Sequence, residues 1–313
     1  MNIQQLEYIT AVEKTGSFSK AAEHCLVTQP TLSMMVHRLE EELGLLVFNR
    51  NHSPMLPTEQ GKEILRYARR ILKELKLMKE FADSTVNDFT GELKIGVLPT
   101  IASYLIPLFT DSLAVVCPGL HLKIFEVTAE TIIGQVTTGE LDLGIASSPM
   151  KRPGLKETLL YKEEFMVYAN SSEKILEKKS VYPEDIDSKL LWLLEEGHCM
   201  NSQVADLCKL KNRGTKHGNI SYETGSIESL IRMTDIQGGI TIIPELAAVA
   251  LNEKQKLRLR KFKLPAPVRE ICLLHTKHYP RRKLIKSLSQ VITESVKGVL
   301  ANRDKQFTLD VDI

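Results

Sequence analysis

Gly16-Ser17-Phe18-Ser19-Lys20-Ala21-Ala22 and, after a short interval, Thr28-Gln29-Pro30-Thr31-Leu32-Ser33 decide how the first part of the chain folds. Ser17 and Ser19 are cap residues for a short helix carrying Lys20-Ala21-Ala22-Glu23. Thr28 caps the next helix, with Pro30 in the first turn, where a missing N–H costs nothing. Leu32, Val36, Leu39 and Leu43 share one face of that helix, whereas Gln29, Thr31, Ser33, Met34 and Arg38 lie off it. Two helices joined by a tight turn at Leu26-Val27, the second turning polar side chains outward, spell a helix-turn-helix. Upstream, Ile3, Leu6, Ile9 and Val12 repeat at three-residue steps on a helix that Gly16 ends.

Downstream of Gly44, the apolar run Leu45-Leu46-Val47-Phe48, the loop Asn49-Arg50-Asn51-His52-Ser53-Pro54 and the pair Met55-Leu56 read as a two-stranded wing. Thr58 then caps a helix running to about Asp88. Along it Ile64, Ala68, Ile71, Leu75, Met78 and Ala82 recur at steps of four and three, which predicts a dimerising coiled coil; packing on its own domain is the other reading.

Beyond Gly91 the pattern changes. Strand-like Leu93–Leu98, Leu122–Phe125 and Leu141–Ala146 alternate with helical stretches, and the alternation continues to a closing amphipathic helix, Arg281–Leu300. Alternating elements predict an α/β fold with a parallel sheet between helices. Its length predicts two subdomains resembling periplasmic binding proteins, with a ligand cleft at the strands' carboxyl ends. The expected division is a winged helix-turn-helix domain over 1–58, a linker helix over 59–90 and an effector domain over 91–313. Within the last, 91–162 pairs with 268–313 and leaves 163–267 as the second subdomain.

The 313 residues carry a formal charge of +2, unevenly spread: −1 over residues 1–90, −6 over 91–250 and +9 over 251–313. The basic tail reads as the solvated face of an amphipathic helix. No run approaches 18 uncharged apolar residues, which argues against a membrane span, and the first residues lack a secretory pattern. Five cysteines at irregular spacing suit a reducing cytoplasm, where a disulfide is transient and regulatory. Cys25, Cys117 and Cys272 read as small buried hydrophobes. No nucleotide loop, zinc-protease or nucleophile-elbow motif occurs, so no cofactor, metal site or enzymatic activity is expected.

The N-terminal motifs, together with Leu6-Glu7-Tyr8, Arg38-Leu39-Glu40, Phe48-Asn49-Arg50 and Leu56-Pro57-Thr58-Glu59-Gln60-Gly61, resemble LysR-type transcriptional regulators. So do Gly139-Glu140-Leu141-Asp142-Leu143-Gly144-Ile145 and Gly238-Gly239-Ile240-Thr241-Ile242-Ile243-Pro244. Leu98-Pro99-Thr100, Tyr104-Leu105-Ile106-Pro107 and Glu196-Gly197-His198-Cys199, with Cys208 nine residues on, are similar to the peroxide-sensing OxyR group. The resemblance implies a homodimer or homotetramer that binds promoter DNA, acts through RNA polymerase and takes hydrogen peroxide as its signal. It makes Cys199 the peroxidatic and Cys208 the resolving cysteine. Thr100, His198, Thr128 and Arg269 then surround the peroxide pocket, and Gln29, Pro30, Thr31, Ser33, Met34, Arg38 and Arg50 contact DNA. Asn201 and Ala129 depart from the group's usual Arg and Thr.

The segment between the cysteines lacks Pro and Gly and reads as helix. Nine helical residues span about 13.5 Å, whereas a disulfide needs Cα atoms within about 7 Å. Helix and disulfide therefore exclude each other. Alternatives remain at single positions: Thr100 reads equally as a helix cap, and His198 with the two cysteines has poor zinc spacing. A small organic effector in the cleft is the other regulator reading. A thiol peroxidase gives the first ninety residues no purpose, and a solute-binding protein matches only the effector region.

Overall fold

The computed structural model describes residues 1–49, 54–84, 89–149, 152–194, 200, 203–204, 207–208, 222 and 224–307. It divides into two compact units, residues 1–87 with 138–140 and residues 88–137 with 141–313.

In the first unit, α1 (Ile3–Thr15) starts on a reciprocal cap: the Asn2 side chain accepts from the Gln5 amide, and the Gln5 side chain from the Asn2 amide. It ends at Gly16, whose φ of 63° is the left-handed conformation glycine tolerates. Then come α2 (Phe18–His24), capped by Ser17, and α3 (Gln29–Leu43), capped by Thr28 and closed at Gly44. Leu32, Val36 and Leu39 of α3 are fully buried against Ile9 and Val12 of α1 and Ala21 of α2. The wing is an antiparallel pair, β1 (Phe48–Asn49) and β2 (Leu56–Pro57). Glu40 holds it: this buried carboxylate accepts from the backbone N–H of Val47 at 2.8 Å and Phe48 at 3.3 Å. Thr58 both donates to Leu46 O and caps α4 (Glu59–Ser84) by accepting from the Gly61 amide at 2.8 Å. Gly61 is required by close approach, since a Cβ there would lie 2.0 Å from Val47 O.

The second unit is a mixed sheet, not the parallel one expected. Its order is β4 (Gly119–Glu126), β3 (Thr90–Val97), β5 (Leu143–Ser148), β11 (Val268–Thr276), β6 (Leu155–Ala169), β10 (Leu259–Phe262), β7 (Ser180–Val181). β9 (Ile240–Pro244) also pairs with β6, and β8 (Leu191–Trp192) with β9. β3, β4 and β5 are parallel, joined through α5 (Pro99–Val116) and α6 (Ala129–Thr138). The departure lies in β6, fifteen residues long. The chain returns beside it as β10 and β11, antiparallel, from Leu259 opposite Tyr168 to Thr276 opposite Leu155. Strands laid beside β6 in the opposite direction pair antiparallel with it. β6 exchanges β11 for β9 at Glu164 and Phe165, so these strands carry the sheet from one half of the unit to the other.

The second half is completed by α7 (Ile227–Gln237), α8 (Glu245–Val249) and α9 (Glu253–Lys256), and α10 (Arg282–Phe307) closes the chain. By length and apolarity α5 is long enough to cross a membrane. Here it is a core helix, burying Ile101, Ala102, Leu105, Phe109 and Leu113 and packing on α10.

Candidate functional site

The helix-turn-helix presents a coherent outward face. Leu26 makes the turn with φ 56° and is 92% exposed. Beyond it Gln29, Pro30, Thr31 and Arg38 are exposed, Ser33 is half-buried, and Met34 is 47% exposed. Met35 packs instead on the domain core. The Thr31 hydroxyl is held by the Thr28 hydroxyl at 2.8 Å, which fixes the first turn. Arg50, Asn51 and His52 lie outside the described residues.

The α4 seam divides in two. Ala68 is 1% exposed and, with Leu65 and the half-buried Ile64 and Leu72, belongs to the core of its own unit. Ala68 and the half-buried Ile64 thus pack on the core of their own unit, the other reading that the repeat left open. One turn on, Ile71, Leu75 and Met78 line an apolar groove with Tyr67, Arg70 and Glu74; Tyr67, Ile71 and Met78 are exposed.

In the second unit, Thr100 and Arg269 come together. Arg269 sits on β11 directly opposite Glu163 on β6, and both are buried. Its Nε donates to Glu163 Oε1 at 2.9 Å. The outer edge of the guanidinium donates to Thr100, Nη1 to Oγ1 at 3.4 Å and Nη2 to the carbonyl oxygen at 3.1 Å. Thr100 is thus not the cap of α5: Leu98 occupies that place, with no side-chain cap. Thr128 is the residue that caps. Its hydroxyl accepts from the Thr131 amide at 3.4 Å and meets the Thr131 hydroxyl at 2.9 Å, at the start of α6. Thr128 thus caps α6 through its hydroxyl.

Glu163 is the residue missing from the sequence reading. Its second oxygen accepts from the Leu246 amide at 3.1 Å, while Glu245 of α8 accepts from the Glu164 amide at 3.1 Å. The signal for it was a carboxylate at an inward position of an apolar strand. Neighbouring Tyr161 has a buried hydroxyl without a hydrogen-bond partner among the described residues. Burial, reinforced by the Glu163 carboxylate, pushes its phenol well above the ordinary range.

The segment ahead of Cys208 is helical at the described positions Met200, Gln203, Val204 and Leu207. The Cys208 amide donates to Val204 O at 3.0 Å, a helical bond. Met200 and Val204 are buried in the core of the second half, and Leu207 and Cys208 pack against it. Cys208 is a free thiol, pushed up to about 11 by burial and then by Glu184. Gln203 reaches β5, Nε2 donating to Ser147 Oγ at 3.0 Å. His198, Cys199 and Asn201 lie outside the described residues. Cys117 and Cys272 are buried and Cys25 half-buried, each thiol raised chiefly by burial.

A winged helix-turn-helix, a linker helix with an open apolar groove and an α/β unit of two halves define a class of DNA-binding regulator. The chain belongs to the LysR family: the family's bacterial regulatory helix-turn-helix matches residues 3–62, and its substrate binding domain matches 87–297. It is similar to the hydrogen peroxide-inducible genes activator of Haemophilus influenzae, 29% identical over 96% of this chain and 99% of that protein. It is also similar to the OxyR of Escherichia coli K12, described as a DNA-binding transcriptional dual regulator, 28% identical over 95% and 97%. Among solved structures, full-length OxyR of Pseudomonas aeruginosa, a cysteine-to-aspartate variant, superimposes with a TM-score of 0.78. It is 30% identical and covers 94% of this chain and 98% of its own.

Proposed function

We propose that this protein is a transcriptional regulator that senses hydrogen peroxide by reversible formation of a Cys199–Cys208 disulfide and switches antioxidant genes at its promoters. The observation that carries the reading is the helical bond from the Cys208 amide to Val204 O, within a segment anchored by buried Met200 and Val204. A helix carried over the nine residues from 199 to 208, as the sequence leads one to expect, would hold the two Cα atoms about 13.5 Å apart, beyond the roughly 7 Å limit of a disulfide. Joining the sulfurs therefore pulls the segment out of its core, and that order change is the signal.

The chemistry balances. The Cys199 thiolate attacks one peroxide oxygen, the S–O bond forms, and the O–O bond breaks. The second oxygen leaves with the bonding pair and takes a proton to become water. The Cys208 thiolate then attacks the sulfenic sulfur, and the departing hydroxide is protonated to a second water. Thr100 and Arg269 supply hydrogen bonds to the leaving oxygen, with His198 beside Cys199. Partial burial of Cys208 favours its thiol form until the segment opens.

On the DNA side, Gln29, Pro30, Thr31, Ser33, Met34 and Arg38 enter the major groove, and Arg50 reaches the backbone. Ile71, Leu75 and Met78 supply the dimer contact, with a homotetramer as the working assembly in the cytoplasm, contacting RNA polymerase at the promoter. Brief low-dose peroxide followed by non-reducing peptide mapping should yield a 199–208 cross-linked peptide, and footprints of the two redox forms should differ. Cys199→Ser should abolish both effects; a full response in that variant would remove the sensor.

A further inference from the structure

We propose that Glu163 is a positioning residue that sets the charge of the peroxide pocket, so that the site favours an uncharged hydroperoxide over anionic oxidants. This rests on the sensing function proposed above. Arg269 and Glu163 face each other in register across β11 and β6, with side chains 2% and 0% exposed. A lone buried guanidinium beside Thr100 would hold a full positive charge in a low-dielectric site and draw anions to it. In contact with the Glu163 carboxylate, the pair carries no net charge.

The carboxylate is also rigidly held. One oxygen takes Arg269 Nε and the other the Leu246 amide, so two elements fix its plane. That leaves the outer edge of the guanidinium aimed at Thr100. Thr100 contributes a hydroxyl, which both donates and accepts, as a neutral O–O–H group requires. A glutamine at 163 offers only one acceptor for two donors and leaves Arg269 uncancelled, so both the aim and the charge change.

The test follows loss of the Cys199 thiol in the full-length protein by stopped flow, with hydrogen peroxide and with peroxymonosulfate as the anionic oxidant. Glu163→Gln should shift the ratio of the two rate constants at least tenfold toward peroxymonosulfate. An unchanged ratio, with both rates falling together, would overturn the proposal by reducing Glu163 to a structural part. Should the variant not fold, the wild-type protein decides when compared with N-acetylcysteine. Acceleration over the small thiol should be at least tenfold greater for hydrogen peroxide than for peroxymonosulfate. Equal or reversed acceleration defeats the charge proposal alone; no acceleration for either oxidant defeats the sensing function and the proposal with it.

Discussion

Gln203 Nε2 donates to Ser147 Oγ at 3.0 Å, joining the helical segment before Cys208 to the end of β5. On the proposed switch the bond belongs to the reduced arrangement, because unwinding the segment would withdraw Gln203. Ser147 is 5% exposed, so its hydroxyl has little access to water in exchange. A net hydrogen bond of this kind contributes about 1 kcal/mol. Ser147→Ala therefore destabilises the reduced form selectively and lowers the midpoint potential of the cysteine pair by about 20 mV, since ~30 mV corresponds to ~1.4 kcal/mol. Redox titration against glutathione reads this directly. An identical potential in the variant would mean that the bond survives oxidation.

Cys208 imposes a pH dependence of definite sign. Its thiol is raised from 9.0 to about 11, burial being the larger cause and Glu184 the lesser. Below pH 9 it is protonated in folded and unfolded chains alike, and its contribution to stability is complete. Between 9 and 11 the unfolded chain releases the proton while the folded chain resists, so stability falls as pH rises. Melting temperatures from pH 8 to 11 should show a steeper decline in the reduced wild type than in Cys208→Ala. Parallel curves would contradict the burial of this sulfur.

The DNA-reading unit was almost wholly legible in the sequence. Ser17, Thr28 and Thr58 all cap, and Gly16 and Gly44 both end helices, because caps and left-handed glycines are local chemistry. What escaped depends on distant strands meeting. The Glu163–Arg269 pair spans 106 residues, and Gln203–Ser147 spans 56. No local periodicity reports that β6 and β11 run antiparallel, which is what sets Glu163 opposite Arg269. The α4 seam is ambiguous in the sequence for a related reason. A four-three repeat states that a face is apolar, not which neighbour covers it.

That division of α4 separates two substitutions the sequence treats alike. Ala68 is 1% exposed in the core of its own unit, whereas Met78 is 62% exposed. Ala68→Glu buries an unpaired charge and should cost more than about 3 kcal/mol of unfolding free energy. Met78→Glu should leave the melting temperature unchanged while weakening self-association, because it places a charge in the groove lined by Ile71 and Leu75. Sedimentation velocity and thermal melts on both variants distinguish the two roles. A Met78→Glu chain that associates like wild type would move the dimer contact elsewhere.

Glu40 and Arg38 make the corresponding contrast on the recognition helix. Glu40 is 4% exposed and accepts from the amides of Val47 and Phe48, so Glu40→Ala strands two backbone donors at the base of the wing. Each unsatisfied buried donor costs about 1–3 kcal/mol. That variant should lose stability first and DNA affinity as a consequence. Arg38 is exposed and joins no core cluster. Arg38→Ala should melt like wild type yet bind its promoter about 1–3 kcal/mol more weakly, the worth of a bidentate guanine contact, with discrimination relaxed at one base pair. Binding titrations on the promoter and on single-base variants, run beside melting curves, separate a residue that builds the reading head from one that reads. If Arg38→Ala lowers affinity equally for every sequence, Arg38 grips the phosphate backbone instead.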